Sequence, residues 1–477
     1  MALALFLVPL LLAGVAFVTP SERWRPWLVA LGGALHLVLV VLALRTPEVS
    51  ALGGWLLLDP VGRLILALVS VLFFLCSLYA PGYLALRPER SNRVFCTCLL
   101  GFLGTTTLMT ESHHLGLMWV ALEATTLASA PMLYFNRNRR SLEATWKYLL
   151  IGSVGIALAL LGSLFLAYSA FREGLVTSLL FEDLVRDAPH LSRPWLQSAF
   201  VLLFVGYGTK MGLAPMHTWK PDAYGESPGL VGALLAGGLT SCAFLALLRF
   251  YQICSAAGEA EFVRQLMVLI GLLSIAVAGV FMARQRDFKR MLAYSSVEHM
   301  GILVLGMGIG GAAVFGALLH LVNNGLAKGV LFLSAGNIHR AYGSKLTVSV
   351  SGALRRVPVS AALFLGGFFA ITGSPPFGPF LSEFTILRAA IDSGQLVVGG
   401  LLLALLFVVF VGMGATVLSV VQGEPSKTLA EDGFRDGPLT VGPAIVFLAL
   451  VLLLGLYIPP PLDALLRDAA SFVEGGS

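Results

Sequence analysis

Charge is scarce in this chain. Only 12% of its residues are Asp, Glu, Lys or Arg, where a soluble domain carries roughly 25%. Long polar stretches are missing too, so nothing divides the 477 residues into the roughly three soluble domains that their number alone would suggest. At 57% hydrophobic residues the chain could not cover a water-facing surface with polar groups, and lipid is the solvent that resolves this. Cysteine is sparse as well. Cys76, Cys96, Cys98, Cys242 and Cys254 lie in or beside apolar runs, and Cys96-x-Cys98 lacks zinc or iron–sulfur spacing. The five read as small buried hydrophobes, with no metal or cofactor site in the chain. The net charge of +5 comes without a clustered basic patch, which argues against nucleic acid as a partner. The segment Ala2–Val18 lacks a basic n-region and an Ala-x-Ala cleavage site, so it is expected to stay as a span rather than leave as a signal peptide.

What the chain has instead is apolar runs. A helix that crosses a bilayer needs about 20 mostly apolar residues. Fourteen such runs start near residues 2, 26, 62, 94, 114, 144, 198, 229, 265, 292, 312, 358, 395 and 440. The expectation is an all-α polytopic membrane protein of about 14 transmembrane helices. Residues 461–473 are shorter and amphipathic, with Leu462, Leu465, Leu466 and Phe472 against Asp463, Arg467 and Asp468; they are expected to lie on the membrane surface. Orientation follows from basic residues in short loops. Arg23 and Arg25 follow span 1, Arg87, Arg90 and Arg93 follow span 3, and Arg137, Arg139 and Arg140 follow span 5, with similar groups after spans 9 and 11. The loops around Glu111 and Gly308 carry no Lys or Arg. The odd-numbered loops are therefore expected in the cytoplasm and both termini on the other side. His113 and His114 read as solvated in an outer loop, and Arg249 as an anchor at the outer end of span 8.

An ionisable residue at mid-membrane costs at least about 2–3 kcal/mol and faces protein or water. Four such residues form the shortlist. Glu123 lies about ten residues into span 5, and Lys210 in span 7 is the obvious cation for it. Buried lysine exchanges protons readily. Lys328 shares one helical face with His320, Asn323 and Asn324. Glu383 follows Gly373-Ser-Pro-Pro-Phe-Gly-Pro, where Pro375 and Pro376 must break a helix, as Pro215 must soon after Lys210. Broken helices beside a charge mark ion sites in transporters. The bland alternatives are packing carboxylates, snorkelling lysines and ordinary interfacial loops. Weaker candidates are the Glu298–His299 pair, the cluster His217, Lys220, Asp222 and Glu226 as a cytoplasmic proton entry, and Lys147 near the cytoplasmic end of span 6. The prolines fall at corresponding places in two five-span units, spans 4–8 and 9–13, the pattern of an inverted repeat. This divides the chain into residues 1–93, a first repeat at 94–254, a second at 255–422, and a C-terminal helix with its tail at 423–477.

At these residues the chain resembles a known family. Lys210-Met-Gly-Leu-Ala-Pro-Met-His-Thr-Trp-Lys-Pro, Phe288-Lys-Arg-Met-Leu-Ala-Tyr-Ser-Ser-Val-Glu-His-Met-Gly, Asn324-Gly-Leu-Ala-Lys328 and the Pro-rich break before Glu383 resemble, in order, the blocks of the antiporter-like subunits of respiratory complex I and Mrp-type cation/proton antiporters. Trp219-Lys-Pro in place of the usual Trp-Leu-Pro, and Ser295-Ser-Val-Glu-His, look most like component F of hydrogenase-4 and related membrane-bound hydrogenase or formate hydrogenlyase complexes. The resemblance implies two inverted five-helix repeats and a hydrated mid-membrane axis through Glu123, Lys210, Lys328 and Glu383. It departs at Ser241, where the family commonly has a Lys, and at Asn324, where it commonly has a His. Neither replacement carries a proton charge.

The reading that follows is a proton-translocating membrane subunit of a redox complex. The chain itself would hold no redox centre. The resemblance implies partner subunits, in the membrane and in a peripheral arm, that carry iron–sulfur clusters and nickel–iron or quinone sites. It also implies the inner membrane of a bacterium or archaeon. Rival readings are a cation/proton antiporter working without redox partners and a non-pumping partner of an inorganic-carbon uptake protein.

Overall fold

The computed structural model describes residues 1–175, 178–425 and 433–475. The chain opens with α1 (Ala2–Val18) and α2 (Arg25–Arg45), then a small hairpin of β1 (Ser50–Ala51) and β2 (Leu56–Leu57), then α3 (Pro60–Ala85). Next come α4 (Arg93–Glu111), α5 (Leu115–Leu133), α6 (Arg139–Arg172), the short α7 (Phe181–Asp187), α8 (Arg193–Met211) and α9 (Trp219–Glu226). A bent span follows, in which α10 (Gly229–Leu234) passes through a π-helical turn into α11 (Thr240–Ala256). Then run α12 (Ala260–Met282), α13 (Phe288–Ile309), α14 (Ala312–Tyr342), the single turn α15 (Ala353–Arg356), α16 (Pro358–Ile371) and α17 (Gly378–Asp392). The chain closes with α18 (Leu396–Val421), α19 (Pro438–Leu456) and α20 (Pro460–Val473).

Local chemistry fixes several of these starts. Asp59 accepts the Gly62 N–H at 2.6 Å, and Pro60 occupies the first turn of α3, where its missing N–H costs nothing. Asn138 and Ser141 cap α6 reciprocally, and Asp287 accepts two N–H groups at the start of α13. Among the described residues, 11 helices are long and apolar enough to cross a membrane. Each of the expected span starts lies within five residues of a helix start. The expected spans outside the 11 are α1, which has 17 residues, α8, and α16, which stops after 14 at a break.

Burial sorts the helices into a sheath and a core. The apolar outer faces of α1, α6 and α18 are open, with Leu11, Phe171 and Val397 about 70% exposed or more, as a lipid-facing surface requires. In contrast, α13, α14 and the α10–α11 span are enclosed by protein almost completely. Polar residues on these enclosed helices therefore meet other helices, not lipid. The helix α20 turns Leu466 and Val473 inward against α3 and α14 and pairs Asp463 with Arg467 outside at 2.7 Å.

Both expected breaks are present. The helix α8 stops at Met211 with Gly212 left-handed, passes a cis Ala214–Pro215 bond, and resumes as α9. The helix α16 stops at Ile371 with Gly373 left-handed, passes a cis Pro375–Pro376 bond, and resumes as α17. The freed backbone finds partners inside the protein. The Ala214 N–H donates to Ser274 Oγ at 3.0 Å, and Trp219 Nε1 donates to the Thr209 carbonyl at 2.8 Å. At the second break, Gly455 of α19 lies so close that a Cβ would overlap the Pro376 carbonyl oxygen.

Candidate functional site: a buried row of ionisable side chains

The row begins at α5 and α8. Lys210 sits in the last turn of α8 and is fully buried. Its ammonium hydrogen-bonds Thr126 Oγ1, lies 3.5 Å from Glu123 Oε2, and stands 5.5 Å from the Tyr148 ring centroid. Glu123 is 22% exposed, and its other oxygen accepts from Ser153 at 3.1 Å. Room for the ammonium comes from Gly152 on α6, where a Cβ would lie 2.9 Å from Nζ.

The next member was read from sequence as part of a loop cluster. Lys220 is fully buried, and its Nζ donates to Ser296 Oγ of α13 at 3.1 Å. Lys328 of α14, also fully buried, donates to the adjacent Ser295 Oγ at 2.7 Å. Consecutive serines of α13 thus join two buried lysines. Ser241, the position that breaks the family pattern, is buried but spends its hydroxyl on the Gly237 carbonyl of its own helix at 2.5 Å. A buried cation that the family's usual Trp-Leu-Pro lacks is present instead at the Lys of Trp219-Lys-Pro. The clue was in the sequence, as a charged residue in a motif that is usually apolar.

Beyond Lys328 the row turns to histidines and carboxylates. Glu298 is buried, and its Oε2 has no hydrogen-bond partner among the described residues. The adjacent His299 places Nδ1 at 2.9 Å from His320 Nε2, and His320 Nδ1 lies 3.0 Å from Ser382 Oγ on α17. Among the described residues, Glu383, which follows Ser382, has Oε1 unpartnered, and Asn323 and Asn324 of α14 also carry unpartnered atoms. Ligand atoms of His299, His320 and Glu383 lie within 4.8 Å of one another, a donor set that suits a divalent ion. The two imidazoles already share a hydrogen bond, so the same atoms form a ready bridge for a proton.

Other expected members lie apart from the buried row. Asp222 of α9 binds Lys147 at 2.8 Å and Arg290 at 2.9 Å. The Lys147 side chain is 44% exposed, and it pairs with Glu143 as well. These groups form an ion-pair network at the basic-loop face. His217 is buried between the two, with its ring 6.1 Å from that of Tyr294.

The opposite face corrects two expectations. His113 is not solvated; it is 2% exposed. Arg249 is not an anchor; it is 1% exposed. Both converge on Asp59, with Arg249 Nη1 at 2.8 Å from Asp59 Oδ2 and His113 Nε2 at 3.0 Å from the same atom. His114 is half-buried, stacked on Trp55 at 4.1 Å. The reason is tertiary. The hairpin and the segment before α7 close over this loop, with the His113 N–H bound to the Trp55 carbonyl and its own carbonyl bound by Phe181 N–H. Two further buried groups escaped notice. His36 of α2 bridges Ser70 and Thr107 at 2.9 Å each, and Glu111 ends α4 with both carboxylate oxygens unpartnered among the described residues. A lone His in an apolar run was the available signal for the first.

The cluster carries a pH consequence. Burial and the neighbouring Arg249 guanidinium push His113 below its ordinary imidazole range, against the pull of Asp59. A group whose folded pKa is depressed resists protonation while the unfolded chain takes up a proton, so stability falls as pH drops below about 6.5. Replacing His113 by Asn should remove up to one proton from that slope, about 1.4 kcal/mol per pH unit. Thermal unfolding of both proteins between pH 7 and pH 5 measures it, and parallel curves would contradict it.

Comparison with known proteins agrees with this geometry. Residues 112–411 match the family described as NADH:quinone oxidoreductase/Mrp antiporter, transmembrane region. A hydrogenase-4 component F homolog of Methylacidiphilum infernorum is 35% identical over 456 residues, covering 92% of this chain and 93% of that protein. An NADH-quinone oxidoreductase subunit N of Desulforudis audaxviator is 32% identical, covering 74% and 71%. In fold, the chain superimposes on a chain of the Mrp complex from Dietzia sp. with a TM-score of 0.88 at 19% identity, covering 100% and 98%. The broken helices, the enclosed polar core and these likenesses together place the chain in the NADH:quinone oxidoreductase/Mrp antiporter family of antiporter-like membrane proteins.

Proposed function

We propose that this chain moves protons through the membrane arm of a complex I-related redox complex of the hydrogenase-4 type. The observation that supports the reading is a set of buried ionisable contacts: Lys210 beside Glu123, Lys220 and Lys328 on the adjacent Ser296 and Ser295, and His299, His320 and Glu383 gathered together. Six of these seven residues lie on helices that sequence alone would make apolar, and such residues mark ion paths. In this reading the two halves built around the breaks are inverted repeats, the basic loops face the cytoplasm of a bacterial or archaeal cell, and both termini face away from it. Redox chemistry in partner subunits separates Glu123 from Lys210, and the displaced proton passes by way of Lys220 and Lys328 toward Glu383. Iron–sulfur, nickel–iron or quinone sites belong to those partners.

Lys220 makes this reading testable at a residue peculiar to the chain. Lys220→Leu restores the family's usual residue and removes this buried cation. In vesicles holding the whole complex, redox-driven proton uptake should fall at least about tenfold while electron transfer with an uncoupler persists. Lys328→Ala should do the same. Undiminished uptake in both would overturn the reading, and sodium-dependent proton exchange by the isolated chain would replace it with a stand-alone antiporter.

A further inference from the structure

Three cavities lie side by side at the face that carries the basic loops, and Arg87 lines all of them. The first two, of about 310 Å³ and about 300 Å³, are ringed by Arg87, Arg90, Arg140, Lys289, Arg340 and Lys345. The acid in their lining, among the described residues, is Glu226, and it is already bound to Lys345 at 2.6 Å. So many cations repel one another across a half-enclosed space, where screening is weaker than in bulk water. The hydrogen bonding of Arg87 and Arg90 is also incomplete. Among the described residues, the Nε–H groups of Arg87 and Arg90 are buried without a hydrogen-bond acceptor, although Arg90 Nε lies 3.5 Å from Glu89 Oε1. Among the described residues, Arg87 Nη1 lies 3.8 Å from the exposed Glu89, Arg90 Nη1 donates to the Phe135 carbonyl at 2.6 Å, and the two guanidiniums stand 5.9 Å and 6.0 Å from the Tyr83 and Phe135 ring centroids. Buried donors of this kind are normally satisfied. An anion with several oxygens is the partner that fits, and guanidinium forks suit phosphate in particular.

The third cavity says what the phosphate is attached to. It measures about 390 Å³ and shares Arg87 and Arg90 with the first. Its other walls are largely apolar, with Trp27, Pro81, Leu84 and Leu439, together with Arg23, Asn92 and Glu22, whose carboxylate is already paired with Arg25 at 3.0 Å. Trp27, which lines this cavity, stands 44% exposed, and Trp24, three residues before it, 65%, as amphipathic aromatics do at a membrane interface. A free phosphate ion would leave this apolar extension unused. A molecule with phosphate at one end and hydrocarbon at the other occupies both.

We propose that Arg87 and Arg90 hold the headgroup of an anionic phospholipid, with its glycerol and acyl end running past Leu84 and Trp27 toward the bilayer. Basic pockets between membrane helices recognise such headgroups.

The test uses the purified full chain in detergent, with binding followed by native mass spectrometry. Phosphatidylglycerol should bind at least about tenfold more tightly than phosphatidylcholine of the same acyl chains. The double variant Arg87→Gln/Arg90→Gln should abolish that preference. Arg140→Gln touches an exposed side chain outside any ion pair, so its folding is not at risk, and it should weaken the preference several-fold. Arg388→Gln, at the far end of α17 with a side chain 72% exposed, should leave it unchanged. Equal binding of the two lipids would overturn the proposal, as would unaltered preference in Arg140→Gln and in whichever double variant folds. Displacement of phosphatidylglycerol by millimolar inorganic phosphate would also overturn it, by making the site one for the free ion.

Discussion

Lys210→Ala is expected to lower redox-driven proton transport at least about tenfold while leaving the chain folded. The fold-preserving half of this statement comes from Glu123. That carboxylate loses its cation, yet it is 22% exposed and keeps the Ser153 hydroxyl, so it is not stranded in a dry interior. The transport half comes from what alanine lacks. Every contact of the Lys210 ammonium, with Thr126, Glu123 and the face of Tyr148, converges on a single exchangeable charge. Lys210→Arg separates charge from exchange. A guanidinium keeps the positive charge beside Glu123 but does not give up its proton. If Lys210 only balances Glu123, the arginine variant pumps normally. If it carries the proton, the arginine variant fails as the alanine variant does. Proton uptake by vesicles of the whole complex, with electron transfer measured alongside, distinguishes the two. Normal pumping in both variants would remove Lys210 from the path.

Arg249→Ala should be the most destabilising single change at the opposite face, by about 3–5 kcal/mol. It removes one partner of a buried pair and leaves Asp59, 3% exposed, facing only His113 and the Gly62 N–H. Burial alone would raise the Asp59 carboxyl, but Arg249, His113 and Gly62 together hold it well below the ordinary carboxylate range. Its stabilisation is therefore fully present above the unfolded value of about 3.9 and is lost only as pH falls further, through the folded value. The double variant Asp59→Asn/Arg249→Met should be clearly more stable than Arg249→Ala, because no uncompensated charge remains. Thermal unfolding in detergent at neutral pH compares them. Equal melting points for wild type and Arg249→Ala would show that the cluster contributes nothing.

The sequence made the spans legible because lipid demands apolar runs of a definite length, and the starts near residues 229, 312 and 358 coincide with helix starts. It also exposed Glu123, Lys210, Lys328 and Glu383, since a charge in an apolar run has little company. It hid Lys220, which follows Pro215 among His217, Asp222 and Glu226 and looks like any polar loop. Only the packing of α9 against α13 turns that lysine inward. Asp59, His113 and Arg249 were hidden for a similar reason. They are separated by long stretches of chain and meet only when the hairpin closes over the loop before α5. Lys147 shows the opposite failure. Its place inside an apolar run suggested the axis, but its length carries the ammonium to the surface network of Glu143 and Asp222.

The break at Pro215 does more than interrupt a helix. Lys210 ends α8, where the aligned peptide groups present their negative pole, while Lys220 occupies the first turn of α9, where they present their positive pole. A positive charge passing from Lys210 to Lys220 therefore climbs a potential written in the main chain, and one passing back descends it. Substituting either side chain leaves that slope in place. It resembles a rectifying junction set into an otherwise continuous conductor, whose bias is fixed by how the chain folds rather than by which residues it carries.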